Sequence, residues 1–94
     1  MAYIYKANWE IIETSPKNKK DFSLKELKEI VGGYIEIVDL DDDYMVVNEE
    51  GKLIGLPFNL NATIAYQIST KIGEHIVGDV LVCPKEQILW KRLF

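Results

Sequence analysis

One cysteine, one histidine and three prolines are all that this 94-residue chain holds of those residue types. A lone Cys83 cannot close an internal disulfide, and Cys83 with His75 falls short of the roughly four ligands that a zinc site takes. Apolar runs are short as well, and none approaches the roughly 18 residues of a bilayer-spanning helix. The start Met1-Ala2-Tyr3-Ile4-Tyr5-Lys6 lacks the basic entry and long apolar stretch of a secretion signal, so a cytoplasmic location is expected. Positive charge is the last scarcity: 11 Lys and Arg face 15 Asp and Glu, for a net charge of -4. The only basic cluster is Lys17, Lys19 and Lys20. Direct nucleic-acid binding, which rests on clustered cations that displace counterions from phosphates, is not expected.

Against these absences stand 48% hydrophobic residues, with two Trp, five Tyr and three Phe. That is enough for one core, and residues 1–94 are expected to form a single domain. Tyr3 to Thr14, aromatic and β-branched, predicts one or two strands with an irregularity near Asn8. Ser15 to Lys20 collects turn formers and reads as a solvated loop. Ser23-Leu24-Lys25-Glu26 is a capping box, with Phe22 and Leu27 at staple spacing around it. Leu24, Leu27, Ile30 and Val31 then share one helical face, and Gly32 can close the helix in the left-handed conformation.

Tyr34 to Val38 alternates as a strand, Asp39 to Asp43 is a turn, and Tyr44 to Val47 resumes strand character. Asn48-Glu49-Glu50-Gly51 supplies a second turn, with Gly51 expected at positive φ, and Lys52 to Leu56 is read as the third strand of a meander. Pro57 ends it. Ala62 to Thr70 predicts a helix capped by Asn61, and Asp79 to Cys83 is the continuous apolar run of a buried strand. Lys85 to Phe94 is expected to form a C-terminal helix or tail that uses Trp90 to cover the core or a partner. The expected class is therefore α+β: a small, mostly antiparallel sheet, a meander, with two or three short helices.

Residues Asn48 to Asn59 crowd hydrogen-bonding side chains and two glycines between apolar runs, and they suggest a binding surface more than a reaction centre. Asp39, Asp41, Asp43 and Glu50 match four positions of a calcium loop, but Tyr44 stands where the sharp turn needs glycine. No metal and no cofactor are expected. Glu36, Glu49 and Glu50 are candidate acid–base groups, yet Glu49 and Glu50 are more simply explained as exposed central residues of a turn. His75 has no recognisable nucleophile motif beside it, and Cys83 reads as an inert buried thiol. No enzyme is expected.

The ordered motifs Val31-Gly32-Gly33-Tyr34-Ile35-Glu36, Asn48-Glu49-Glu50-Gly51-Lys52, Gly55-Leu56-Pro57 with Asn59, and Ile76-Val77-Gly78-Asp79 add a resemblance. From about Phe22 to Val82 the chain resembles a family of small domain-of-unknown-function proteins encoded by phages, plasmids and conjugative elements. The resemblance implies an α+β domain of a mobile element, working in the host cytoplasm, and brings no established reaction. The leading expectation is a non-enzymatic accessory protein that counters a host defence or regulatory system by sequestering a nucleotide-like ligand. Tyr34, Glu36, Asn48, Lys52 and Asn59 are its candidate ligand-binding residues: Lys52 neutralises charge, Asn48 and Asn59 bond base or sugar, and Tyr34 stacks. The alternative is an acidic inhibitor that covers a basic host protein with Asp39, Asp41, Asp42, Asp43, Glu49 and Glu50. A structural or homo-oligomerising module is the third reading.

Overall fold

The computed structural model of the chain describes residues 1–89. Five strands and two α-helices follow one another as β1 (Ala2–Tyr5), β2 (Ile11–Thr14), α1 (Leu24–Val31), β3 (Ile35–Asp39), β4 (Asp43–Asn48), α2 (Leu60–Thr70) and β5 (Val80–Pro84), and a short 3-10 turn (Lys85–Gln87) ends the series. The strands form one sheet in the order β2-β1-β5-β4-β3, and every pairing in it is antiparallel. The α+β expectation holds at this level.

The sheet has a helix on each face. Ala2, Val46, Leu81 and Cys83 meet Phe22, Leu27 and Val31 of the α1 side in one buried cluster, while Met45, Val47, Val80 and Val82 meet Ala62 on the other side in a second. The side-chain period of two sends alternate residues of a strand to opposite faces, so a strand covered on both must be apolar throughout. That is why Val80-Leu81-Val82-Cys83 and Met45-Val46-Val47 are continuous apolar runs at the centre, buried along their length. The outer strand β2 is largely exposed, with Ile11 and Ile12 open to solvent.

Helix α1 forms as its sequence dictates. The Ser23 hydroxyl accepts from the Glu26 amide at 3.2 Å and Glu26 Oε2 accepts from the Ser23 amide at 2.7 Å, and Gly32 closes the helix at φ 79°. Leu27 and Val31 are buried, but Leu24 is exposed. The Ser23 amide, joined by the Lys17 amide at 2.8 Å from Oε1, holds the Glu26 carboxyl below the usual glutamate range, the Ser23 backbone contributing most. A lowered native pKa makes this contribution complete above the unfolded value, and it is lost as pH falls through the native one. Urea melts between pH 7 and 3 are expected to show Glu26→Gln reducing stability at neutral pH and converging on the wild type as Glu26 is protonated.

Several expectations are corrected. Lys52–Leu56 is no strand: Ile54 N donates to Glu50 O at 3.0 Å and Leu56 N to Gly51 O at 2.9 Å, coiling residues 49–55 into successive turns. Leu53 and Ile54 consequently project into solvent. The third strand of the meander is β5, which pairs with β4 after a connection through α2. Gly51 is absent from the positive-φ glycines among the described residues; its requirement is space, since a Cβ there would lie 3.0 Å from Val77 Cγ2. Asn59, and not Asn61, caps α2 through its side-chain oxygen and the Ala62 amide. At the C-terminal end Ile88 is buried in the α1-side core. The expected covering role of Trp90 lies outside the described residues.

The turn between β1 and β2 contains a feature that sequence reading passed over. Trp9 N donates to Lys6 O and Lys6 N to Glu10 O, which places Trp9 at φ 81°, a left-handed position that normally selects glycine. Its ring is exposed. Asn61 of α2 donates to the Trp9 carbonyl at 3.3 Å and helps hold the turn.

Candidate functional site

A surface depression lies on the α2 side of β3 and β4. It is a cleft of about 240 Å³. Strand β3 supplies Glu36 and Val38, β4 supplies Val47 and Asn48, the following turns supply Glu49, Lys52 and Leu53, α2 supplies Tyr66, and Glu74, His75, Ile76 and Val77 close the far wall. Val38, Val47, Tyr66, Ile76 and Val77 make an apolar floor, while carboxylates stand at the rim.

The far wall is positioned by hydrogen bonds that connect distant parts of the chain. Thr63 Oγ1 accepts from the Ile76 amide at 2.9 Å, Asn59 N donates to Ile76 O at 2.9 Å, and Gln67 Nε2 donates to Glu74 O at 3.2 Å. Phe58 and Val77 add an isolated antiparallel bridge. The 74–77 segment is therefore attached both to α2 and to the strap that precedes it. Lys52 Nζ crosses the rim to Glu74 Oε1 at 2.6 Å. That hydrogen bond keeps the Glu74 carboxyl below its ordinary range, although both groups are exposed and such pairs stabilise little.

The five candidate ligand-binding residues separate in this geometry. Glu36, Asn48 and Lys52 line the cleft. Asn48 is buried and largely committed, its Nδ2 donating to Val31 O at 3.1 Å and its Oδ1 accepting from the Glu50 amide at 2.8 Å. It ties the end of α1 to the end of β4, and a Cβ on Gly33 would sit 3.0 Å from its amide nitrogen. Asn59 is fully buried beneath the sheet's α2 side. Its Nδ2 donates to both Tyr5 O and Gly78 O at 2.8 Å, and its Oδ1 caps α2. Both of its donors and one of its acceptor positions are used inside the fold, so the side chain serves the structure. Tyr34 stands outside the cleft, exposed, with Lys28 Nζ 5.0 Å from its ring centroid. One face of that ring already has a cation over it.

The six acidic candidates divide as well. Asp39, Asp41, Asp42 and Asp43 lie at one end of the β3–β4 hairpin and Glu49 and Glu50 at the other. At about 3.3 Å per residue the hairpin separates them by roughly 15 Å. The acidic candidates therefore stand in two clusters, and the calcium-loop positions are split between them. Asp39 also holds Lys85 at 2.9 Å, which raises the Lys85 pKa above the usual lysine value. What sequence reading missed is the contribution of Tyr66, Glu74 and His75 to the cleft, because only the packing of α2 and the return from it to β5 bring them to the cleft that Lys52 lines.

Cys83 is buried in the α1-side core. Burial, with Asp43 and Glu86 adding repulsion, pushes its thiol up to about 12. Native protein at pH 8 is expected to resist an aromatic disulfide reagent, and full reaction should follow only on addition of denaturant. Rapid labelling of the native chain would contradict the placement.

An antiparallel sheet with one helix on each face and an acid-rimmed cleft beside an outer strand defines a small α+β domain. The chain belongs to the domain-of-unknown-function family DUF3846, whose sequence model matches residues 9–87. The match begins ahead of the motif-bearing segment and takes in the β1–β2 turn from Trp9 onward. No curated protein and no solved structure matches the chain.

Proposed function

We propose that this protein is a non-enzymatic binding protein whose cleft sequesters a small ring-bearing molecule. The observation that carries the reading is the cleft itself: an apolar floor of Val38, Val47, Tyr66, Ile76 and Val77 beneath polar groups at the rim. Concave apolar sites with a few convergent polar groups are where small ligands bind. The rim charge narrows the nucleotide-like ligand expected from sequence. Glu36, Glu49 and Glu74 oppose a single lysine, Lys52, which Glu74 already engages. A phosphate there would meet repulsion, so the ligand class that fits is nucleoside-like, uncharged or cationic.

The resemblance to proteins of phages, plasmids and conjugative elements supports placing this sequestration in a mobile-element accessory role against a host defence or regulatory system. A thermal-shift panel of nucleosides and their matched 5′-phosphates tests the ligand class. Nucleosides are expected to raise Tm more than their phosphates do, and Glu36→Lys should narrow that difference. A panel in which no member raises Tm would sink the small-ligand reading.

A second reading, occlusion of a basic protein surface, is favoured by the carboxylates at both ends of the β3–β4 hairpin together with those of the cleft rim. Like charge gathered along the hairpin steers and orients a partner of opposite sign.

A further inference from the structure

Strand β3 ends the sheet, and among the described residues no segment pairs with its outer side. Glu49 N donates to Tyr34 O at 2.9 Å and Leu40 N to Asp43 O at 2.8 Å. These bonds mark 34/49 and 40/43 as hydrogen-bonded pairs of the ladder. Such pairs alternate along an antiparallel ladder, so Glu36 and Val38 direct their backbone groups toward β4. Ile35 and Ile37 therefore turn their N–H and C=O groups to the open edge. The side chains of Glu36 and Val38 line the cleft. An open row of backbone donors and acceptors thus runs directly alongside a carboxylate-rimmed hollow.

The charge of this edge selects its occupant. Open edges are commonly protected by lysine, whereas β3 reads Ile-Glu-Ile-Val-Asp and carries only negative charge. A second copy pairing here would bring Glu36 and its neighbours against carboxylates of the same sign, at a cost. A basic strand would instead gain attraction along its length. Added at the usual inter-strand spacing of about 4.8 Å, it would send every second side chain over the cleft, toward Glu36, Glu49 and Glu74.

We propose that β3 docks an extended, basic segment of a partner protein as a sixth strand, with Lys or Arg at alternate positions directed into the cleft. The proposal rests on the occlusion reading and requires no small ligand. Main-chain hydrogen bonds would supply affinity and the alternate side chains specificity, as in other strand-addition complexes.

The test uses the full chain and a fluorescent seven-residue peptide of alternating Lys and Val, with anisotropy as the readout. Two further peptides carry N-methyl groups on the Lys amides or on the Val amides, which blocks one edge of the added strand at a time. Binding is expected for the parent peptide, to be about tenfold weaker for one methylated form only, and to protect the Ile35 and Ile37 amides from hydrogen exchange. An alternating Glu and Val peptide should not bind. The exposed substitution Glu36→Lys should weaken the parent peptide about tenfold while leaving Tm close to the wild type. Equal binding of both methylated forms without protection of Ile35 and Ile37 would overturn strand addition and leave only diffuse attraction between charges. Failure of the parent peptide to bind would overturn the occlusion reading together with it.

Discussion

Asn59→Ala is expected to lower folding stability by about 3 kcal/mol or more. The side chain performs three tasks at once at a site with no solvent exposure. As the cap of α2 it satisfies the Ala62 amide at 3.1 Å, and loss of such a cap costs about 1 kcal/mol. Its Nδ2 also fills two carbonyls, Tyr5 O and Gly78 O, and each buried group deprived of its partner costs about 1–3 kcal/mol. Bonds to Tyr5 and Gly78 join the end of β1 to the entry of β5, so their loss loosens the sheet as well as the helix. Urea denaturation should show a lower midpoint with little change in slope. Asn59→Asp retains the capping oxygen but turns an acceptor toward two carbonyl oxygens, and should be at least as damaging. A change within about 0.5 kcal/mol for Asn59→Ala would show that the side chain is dispensable to the fold, and would return it to the ligand-binding set.

Gly78→Ala should cost about 2–3 kcal/mol, for two separable reasons. Gly78 has φ +77°, where any side chain is strained, and a Cβ would stand 2.7 Å from Leu56 Cδ1 and 3.4 Å from Leu56 Cβ. The leucine terminus can rotate away, so the strain at φ is the firmer part of the loss. Leu56→Ala in the Gly78→Ala background is expected to recover the steric part and leave the conformational part, giving a favourable coupling in the double-mutant cycle. Gly78 N also donates to Pro57 O at 2.7 Å, and its carbonyl is one of the two that Asn59 fills. Asn59→Ala combined with Gly78→Ala should therefore cost less than the sum of the separate changes. Simple additivity would indicate that the two residues do not share one junction.

This junction also shows where sequence reading stopped. Asn59 was legible as a polar residue between a proline and a helix, and such a position invites a binding role. The amide that it caps is three residues away, but its two carbonyl partners lie 54 and 19 residues away. No local pattern reports such partners. Lys52–Leu56 was misread for a related reason. Lys-Leu-Ile-Gly-Leu carries apolar residues of strand character, yet a strand exists only where a neighbour supplies its ladder, and β5 occupies that place beside β4. Deprived of a ladder, the segment satisfies its amides within itself by turns.

Of the cleft, Glu36, Asn48 and Lys52 were readable as chemistry-bearing residues near one motif, but their surroundings were not. Tyr66 arrives on α2, and Glu74 and His75 on the connection between α2 and β5. Their arrival changes the sign of the site, from a lysine available to phosphate to a lysine engaged by a carboxylate. The acidic residues are redistributed in the same way, since a hairpin that places Asp39 opposite Tyr44 necessarily carries Glu49 and Glu50 to its other end.

By itself the sequence determined what short-range forces decide: the capped helix α1 with its left-handed Gly32, the turns at Asp39 to Asp43 and Asn48 to Gly51, and the apolar strand that became β5. Those features are complete within a few residues, where hydrogen bonding and side-chain period leave little choice. Only the tertiary structure decided that β5 lies between β1 and β4, that β3 is left with an open edge, that Asn59 is buried, and that three carboxylates face one hollow. Each of these depends on chain segments far apart in sequence competing for the same ladder position or the same buried volume, and that competition is resolved only when the whole sheet closes.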